Sequence, residues 1–132
     1  MGKNALSHFE IYADDPQALA KFYTSIFDWK IEAPPGMSGY LLVRTVETNP
    51  QGMATQPGGI NGGIMKRPDA DAPPVINYVN VESIEQTAER AKKLGAKVMK
   101  EKSPVPGMGW FAILTDPQNN PFALWQTDSA AK

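Results

Sequence analysis

The sequence predicts an α+β fold built from two βαβββ modules, and two observations carry that prediction. Ser7–Trp29, SHFEIYADDPQALAKFYTSIFDW, reads as strand, capped turn and amphipathic helix, and Val75–Val98, VINYVNVESIEQTAERAKKLGAKV, is a degenerate copy. PGMSGYLLV, Pro35–Val43, is then echoed by PGMGWFAI, Pro106–Ile113, with one residue deleted. One βα unit cannot cover its own apolar face, so two copies imply a paired, pseudo-symmetric arrangement. A ligand is expected where the copies face one another.

The first strand, from Ser7 to Ala13, alternates Phe9, Ile11 and Ala13 with His8, Glu10 and Tyr12, so one face is apolar and the other polar. Asp15 suits an N-cap and Pro16 the first helical position, where a missing N–H costs nothing. Leu19, Phe22, Tyr23 and Ile26 follow at helical spacing as the expected buried stripe. Trp29–Ile31, Tyr40–Thr45 and Ile60–Lys66 are the next strands. Gly62 and Gly63 weaken the last of these, as glycines do at a bulge or a close approach by ligand or backbone. The polar stretch 49–59 is the candidate mobile loop.

Module one is placed at 1–68, a proline- and acid-rich linker at about 69–74, and module two at 75–132. In module two Val75, Asn77, Val79 and Val81 are expected to face the helix, with Ile76, Tyr78 and Asn80 opposite. Ser83 and Gln86 have capping-box spacing, Ile84, Ala88, Ala91 and Leu94 form the stripe, and Gly95 stops the helix. Lys97–Lys100 is a strand and Ser103–Gly109 a loop. Trp110–Thr115 and Pro121–Gln126, joined by a turn at 116–120, are the last strands.

Composition removes several functions. The 132 residues include no cysteine, which excludes disulfide scaffolds, thiolate zinc sites and cysteine nucleophiles. A net charge of −1 gives no basic field for nucleic acid, and no apolar run is long enough for a membrane span. A reducing cytoplasm fits the absence of cysteine and of a signal-peptide pattern. Gly58, Gly59, Gly62 and Gly63 precede no helix start, so they make no phosphate-binding fingerprint. Ser7 and His8 point to opposite faces, which argues against a serine triad.

The chemistry-bearing residues lie on the polar strand faces. His8, the only histidine, and Glu10 form a candidate acid–base pair. Tyr12, Tyr78, Trp125 and Ile76 are expected by parity to form an aromatic cup for a small organic molecule. Tyr40 and Trp110 occupy matching places after the PGM turns and read as loop anchors. Met37, Met53, Met65 and Met108 could line an adaptable apolar mouth. The charged run 89–93 reads as a solvated helix face.

Three segments carry a family resemblance: HFEIYADDPQALAKFYTSIFDW, INYVNVESIEQTAERAKKLGAKV and the closing TDPQNNPFALWQ. Together they resemble the vicinal oxygen chelate superfamily, the glyoxalase, bleomycin-resistance and extradiol-dioxygenase group. GGINGGIMKRP with PVPGMGWFAILTDP is similar to a glyoxalase-like subgroup without an assigned reaction. The resemblance implies eight strands in a curved mixed sheet, a homodimer, and four metal-ligand positions in metal-dependent members. Those positions fall on His8, near 61–64 where only Asn61 offers a side-chain oxygen, on Ile76 and on Ala123. One imidazole with one amide oxygen does not hold a catalytic divalent ion, so the expected cofactor is none. The reading is thus a glyoxalase-like protein that binds a small organic molecule, with His8 and Glu10 catalytic and Tyr12, Asn61, Ile76, Tyr78 and Trp125 ligand-binding. Two alternatives stay open: a protein that sequesters an antibiotic or hydrophobic metabolite, and a metal-dependent lyase or isomerase whose divalent ion recruits Glu10 and Tyr78.

Overall fold

The computed structural model describes residues 3–35, 39–50, 54–55 and 57–132. It has the predicted α+β composition of eight strands and two helices: β1 (Leu6–Ala13), α1 (Pro16–Ile26), β2 (Lys30–Glu32), β3 (Tyr40–Arg44), β4 (Gly62–Lys66), β5 (Val75–Asn80), α2 (Ile84–Lys93), β6 (Lys97–Val105), β7 (Gly109–Thr115) and β8 (Pro121–Thr127). They form two compact units, His8–Val75, and Ile76–Lys132 with the described residues before His8. Those first residues join the second unit through Asn80, whose backbone N–H donates to Ala5 O and whose carboxamide oxygen accepts from Ser7 Oγ.

In module one the strand order is β2-β3-β4-β1, antiparallel except for the parallel β4–β1 pair. Asp15 caps α1 by accepting from the Ala18 N–H at 3.1 Å, with Pro16 in the first turn. The core is Ala13, Ala20, Leu41, Val43 and Ile64, with Phe9, Ile11, Leu19, Tyr23, Trp29 and Ile31 against it. The expected helical stripe needs correction. Phe22 and Ile26 are 56% and 55% exposed, because Ala20 rather than Phe22 shares the inward face with Leu19 and Tyr23. β4 also begins later than expected. The Asn61 carboxamide oxygen accepts from the N–H groups of Thr45 and Val46 at 2.7 and 3.1 Å, so a side chain replaces the ladder there. The stretch 49–59 is tied back to the residues before it: Ala54 bridges to Thr48, and Thr55 N–H donates to Glu47 O. Residues 51–53 and 56 lie outside the described residues.

Module two has the order β5-β8-β7-β6, with β5 and β8 parallel. Ser83 caps α2 by accepting from Gln86 N–H, and Gln126 Oε1 accepts from Ile84 N–H at 2.9 Å. Ile84, Ala112, Leu114 and Leu124 are the core, flanked by Val79, Val81, Ala88, Ala91, Val98, Trp110 and Phe122. Leu94, expected in the stripe, is 77% exposed, since it caps the helix where Gly95 (φ 106°) turns the chain away. Val75 is also exposed rather than core-facing. The expected loop 103–109 is mostly strand. β6 continues to Val105 through two register shifts, and Pro104 is tolerated because β6 is the outer strand of this unit. Pro106 and Gly107 (φ 76°) then make the tight turn closed by Met108 N–H to Val105 O.

Candidate active site in module one

The site is built from β1, β3 and β4. Period-2 alternation puts Phe9, Ile11 and Ala13 into the core and leaves His8, Glu10 and Tyr12 on the opposite face of β1. Glu10 is buried at 8% exposure, an unusual place for a carboxylate without partners. Its Oε2 lies 3.3 Å from His8 Nε2. The third member comes from two strands away. Tyr40, at the start of β3, sends its ring across β4, so that its hydroxyl lies 3.1 Å from the same His8 Nε2 and hydrogen-bonds Glu10.

Gly63 makes this crossing feasible. It pairs with Glu10 on one side and Leu42 on the other, directly beneath the Tyr40 ring. A Cβ there would stand 2.9 Å from Tyr40 Cε2 and closer still to Cζ and the hydroxyl oxygen. The close approach signalled by the glycine pair is thus made by the protein itself: Tyr40 covers Gly63, and the Phe9 backbone and ring cover Gly62.

Burial and charge tune the phenols. Burial, followed by the Glu10 charge, pushes Tyr12 up to about 12. Burial drives Tyr40 higher still, beyond the ordinary tyrosine range, with the Glu10 charge and hydrogen bond next and Tyr12 last. Both phenols are therefore neutral hydrogen-bond donors at physiological pH. Among side chains His8 is the more open, 31% exposed against 10% for Glu10, so the imidazole is the face of the cluster and the carboxylate stands behind it.

A sequence model of the glyoxalase-like domain matches residues 8–125, nearly the whole chain. The chain belongs to this glyoxalase-like family. It is 25% identical over 123 residues to a candidate glyoxylase, CFP32, of Mycobacterium bovis and Mycobacterium tuberculosis, covering 90% of this chain. It spans only 44% of that mycobacterial protein. A glyoxylase-like domain-containing protein of Didymella fabae is 28% identical, with 90% of this chain and 91% of the fungal protein covered. Among solved structures, a glyoxalase/bleomycin resistance protein/dioxygenase superfamily member from Vibrio splendidus superposes with TM-score 0.60 at 11% identity, over 95% of this chain and 99% of the other. That likeness concerns the fold, and it agrees with the vicinal oxygen chelate architecture that the motifs imply.

The register now locates the glyoxalase-like ligand positions within each module. In module two Tyr78 pairs with Ala123, as Glu10 pairs with Gly63 in module one, so Gly63 is the counterpart of Ala123. His8 and Gly63 in one module, and Ile76 and Ala123 in the other, supply a single donor atom set, the imidazole. Asn61, the other candidate, has its carboxamide oxygen on backbone N–H groups. These residues do not fit the family's metal. Among the described residues, no group of three or more His, Cys, Asp or Glu is placed to hold one.

The remaining predicted residues lie in module two. Ile76 and Tyr78 are buried on the face of β5 opposite the Ile84 core, and Trp125 is half-buried with its ring over Gly109 and its Nε1–H donating to Thr127 Oγ1 at 3.1 Å. The predicted match of Tyr40 with Trp110 is off by one. Leu42 opposes Gly63 and Ile113 opposes Ala123, so the counterpart of Tyr40 is Phe111. A one-residue slip reverses the face. Trp110 packs on the helix side, its Nε1–H donates to Asp128 at 3.0 Å, and Lys102 Nζ lies 4.5 Å from its ring centre. The Trp110 hydrogen bond, above other causes, holds the Asp128 carboxyl below its usual range. Of the four methionines expected at an apolar mouth, Met65 is half-buried, Met108 is exposed at its turn, and Met37 and Met53 lie outside the described residues. Sequence reasoning thus missed Tyr40 as a site residue. Its signal was available in Gly63 on the neighbouring strand, a space that only a neighbouring side chain would fill.

Proposed function

We propose that this glyoxalase-like protein binds a small organic molecule against module one and moves a proton on it through His8, backed by Glu10. The observation that carries this reading is the buried Glu10 carboxylate held 3.3 Å from the more exposed imidazole. A carboxylate behind a histidine stabilises the imidazolium that forms when the ring accepts a proton. The step balances within the complex: an N–H bond forms on the ring as the substrate's acidic C–H or O–H bond breaks, and the substrate keeps the electron pair. Glu10 supplies the counter-charge to the protonated ring. Tyr12, buried and neutral on the same strand face, is proposed to position the molecule.

The test is a small-molecule screen by ligand-observed NMR, followed by turnover and affinity measurements on any hit. His8→Ala is expected to abolish product formation while changing affinity less than about tenfold. A hit that yields no product and loses its affinity with Trp125→Ala but not with His8→Ala would overturn the reading in favour of a sequestering protein.

A further inference from the structure

Tyr40 touches both members of the proposed proton-transfer pair, and its position bears on which ring nitrogen carries the proton. Each nitrogen of a neutral imidazole carries either a proton or a lone pair. His8 Nε2 stands 3.3 Å from Glu10 Oε2 and 3.1 Å from the Tyr40 hydroxyl. With the proton on Nε2, that N–H donates to Glu10, and the Tyr40 O–H donates to the same carboxylate. With the proton on Nδ1, the Nε2 lone pair faces a carboxylate, and the one hydroxyl proton of Tyr40 serves two acceptors.

We infer that Tyr40 is a positioning residue of the site. It and Glu10 together hold the neutral His8 as the Nε2–H tautomer, making Nδ1 the basic atom of the ring, and Gly63 is the position that admits it. Tyr40 acts through His8 and Glu10 and not on the substrate. Its hydroxyl proton has two addresses. It serves the Glu10 carboxylate while that is present, and turns to His8 Nε2 when it is not. The role of Gly63 follows from the space it leaves, because any side chain there takes the volume of the Tyr40 ring end.

This inference rests on the reading of His8 and Glu10 as the working pair, but its test needs no ligand. The chain has one histidine, so a nitrogen-15 spectrum shows a single imidazole. The pH is raised until its shifts stop moving, which isolates the neutral ring. The unaltered protein is expected to show the Nε2–H tautomer. In Glu10→Ala the hydroxyl loses its carboxylate acceptor and turns to Nε2, so the ring proton is expected to move to Nδ1. In Glu10→Ala with Tyr40→Phe, and in Glu10→Ala with Gly63→Ala, it is expected to return to Nε2. A tautomer that is Nδ1–H at the outset, or that is the same in Glu10→Ala with and without Tyr40→Phe, overturns the inference. Should Glu10→Ala not fold, the contact is read on the unaltered protein instead. A nuclear Overhauser effect between the Tyr40 ring and the His8 ring is expected, lost in Gly63→Ala, and its absence from the unaltered protein refutes the placement. A failed tautomer test leaves ligand binding intact, and a failed ligand screen leaves the tautomer as measured.

Discussion

Replacing Gly63 by alanine is the smallest change that challenges the architecture of the site. The added methyl collides with Cε2, Cζ and the hydroxyl oxygen of Tyr40, so the half-buried ring end must move off Gly63. Overpacking of this kind costs about 1–3 kcal/mol. Expelling the hydroxyl from His8 and the Glu10 carboxylate costs about 1.5–3 kcal/mol for the lost hydrogen bonding to a charged group. Alanine in a strand returns about 0.5–1 kcal/mol relative to glycine. The net expectation is a destabilisation of about 2–5 kcal/mol in urea denaturation, a large fraction of a domain's total stability. A double-mutant cycle isolates the cause. In a Tyr40→Leu background the ring end is gone, and Gly63→Ala should become neutral or stabilising by about 0.5–1 kcal/mol. Gly62→Ala is the control, since there the methyl meets the Phe9 carbonyl oxygen as well as its ring, and the cost should persist in either background. If Gly63→Ala costs less than about 0.5 kcal/mol in the unaltered chain, or costs the same with Tyr40→Leu, the contact described here is wrong.

Further expectations follow from the same structure. The folded state keeps the Tyr12 phenol neutral up to about 12, whereas an unfolded tyrosine ionises near pH 10. Its contribution is therefore fully present below about pH 10 and is lost as pH rises through about 12, with Tyr40 acting in the same direction. Urea midpoints measured across that window should fall, and Tyr12→Phe should flatten the fall; a midpoint indifferent to pH would remove the argument for burial. Ser83→Ala removes the acceptor for the Gln86 N–H and should lower stability by about 1 kcal/mol, read from the same denaturation curves. An unchanged midpoint would mean that Gln126, which holds the Ile84 N–H, caps α2 by itself.

Much of this arrangement is legible before any coordinates. The alternation along Ser7–Ala13 separates core from site because a strand has only two faces, and His8, Glu10 and Tyr12 fall together for that reason alone. The capped helices follow from Asp15, Pro16, Ser83 and Gly95, whose preferences are local. Other features depend on which strands become neighbours. Tyr40 reaches Glu10 only because β4 lies between β3 and β1 and carries glycine at the crossing. Matching Tyr40 with Trp110 by sequence echo placed the gap one residue out, and in a strand that is the difference between the two faces. Pro104 and Pro106 concealed the end of β6, since prolines signal loops unless the strand is known to lie at an edge. Phe22 and Leu94 show the limit of helical periodicity. Apolar residues near the border or end of a stripe can be solvent-facing, and the sequence pattern does not say on which residue the stripe is centred.

Module one is proposed to work through its own side chains, with His8 backed by the Glu10 carboxylate as a proton acceptor and not as a metal ligand. Elemental analysis of protein purified without a metal-binding tag, set beside His8→Ala, addresses it most directly. Transition metal is expected well below one equivalent in both proteins, with no change on chelation. One equivalent of a divalent ion in the unaltered protein, lost in His8→Ala, would contradict it and make His8 a metal ligand.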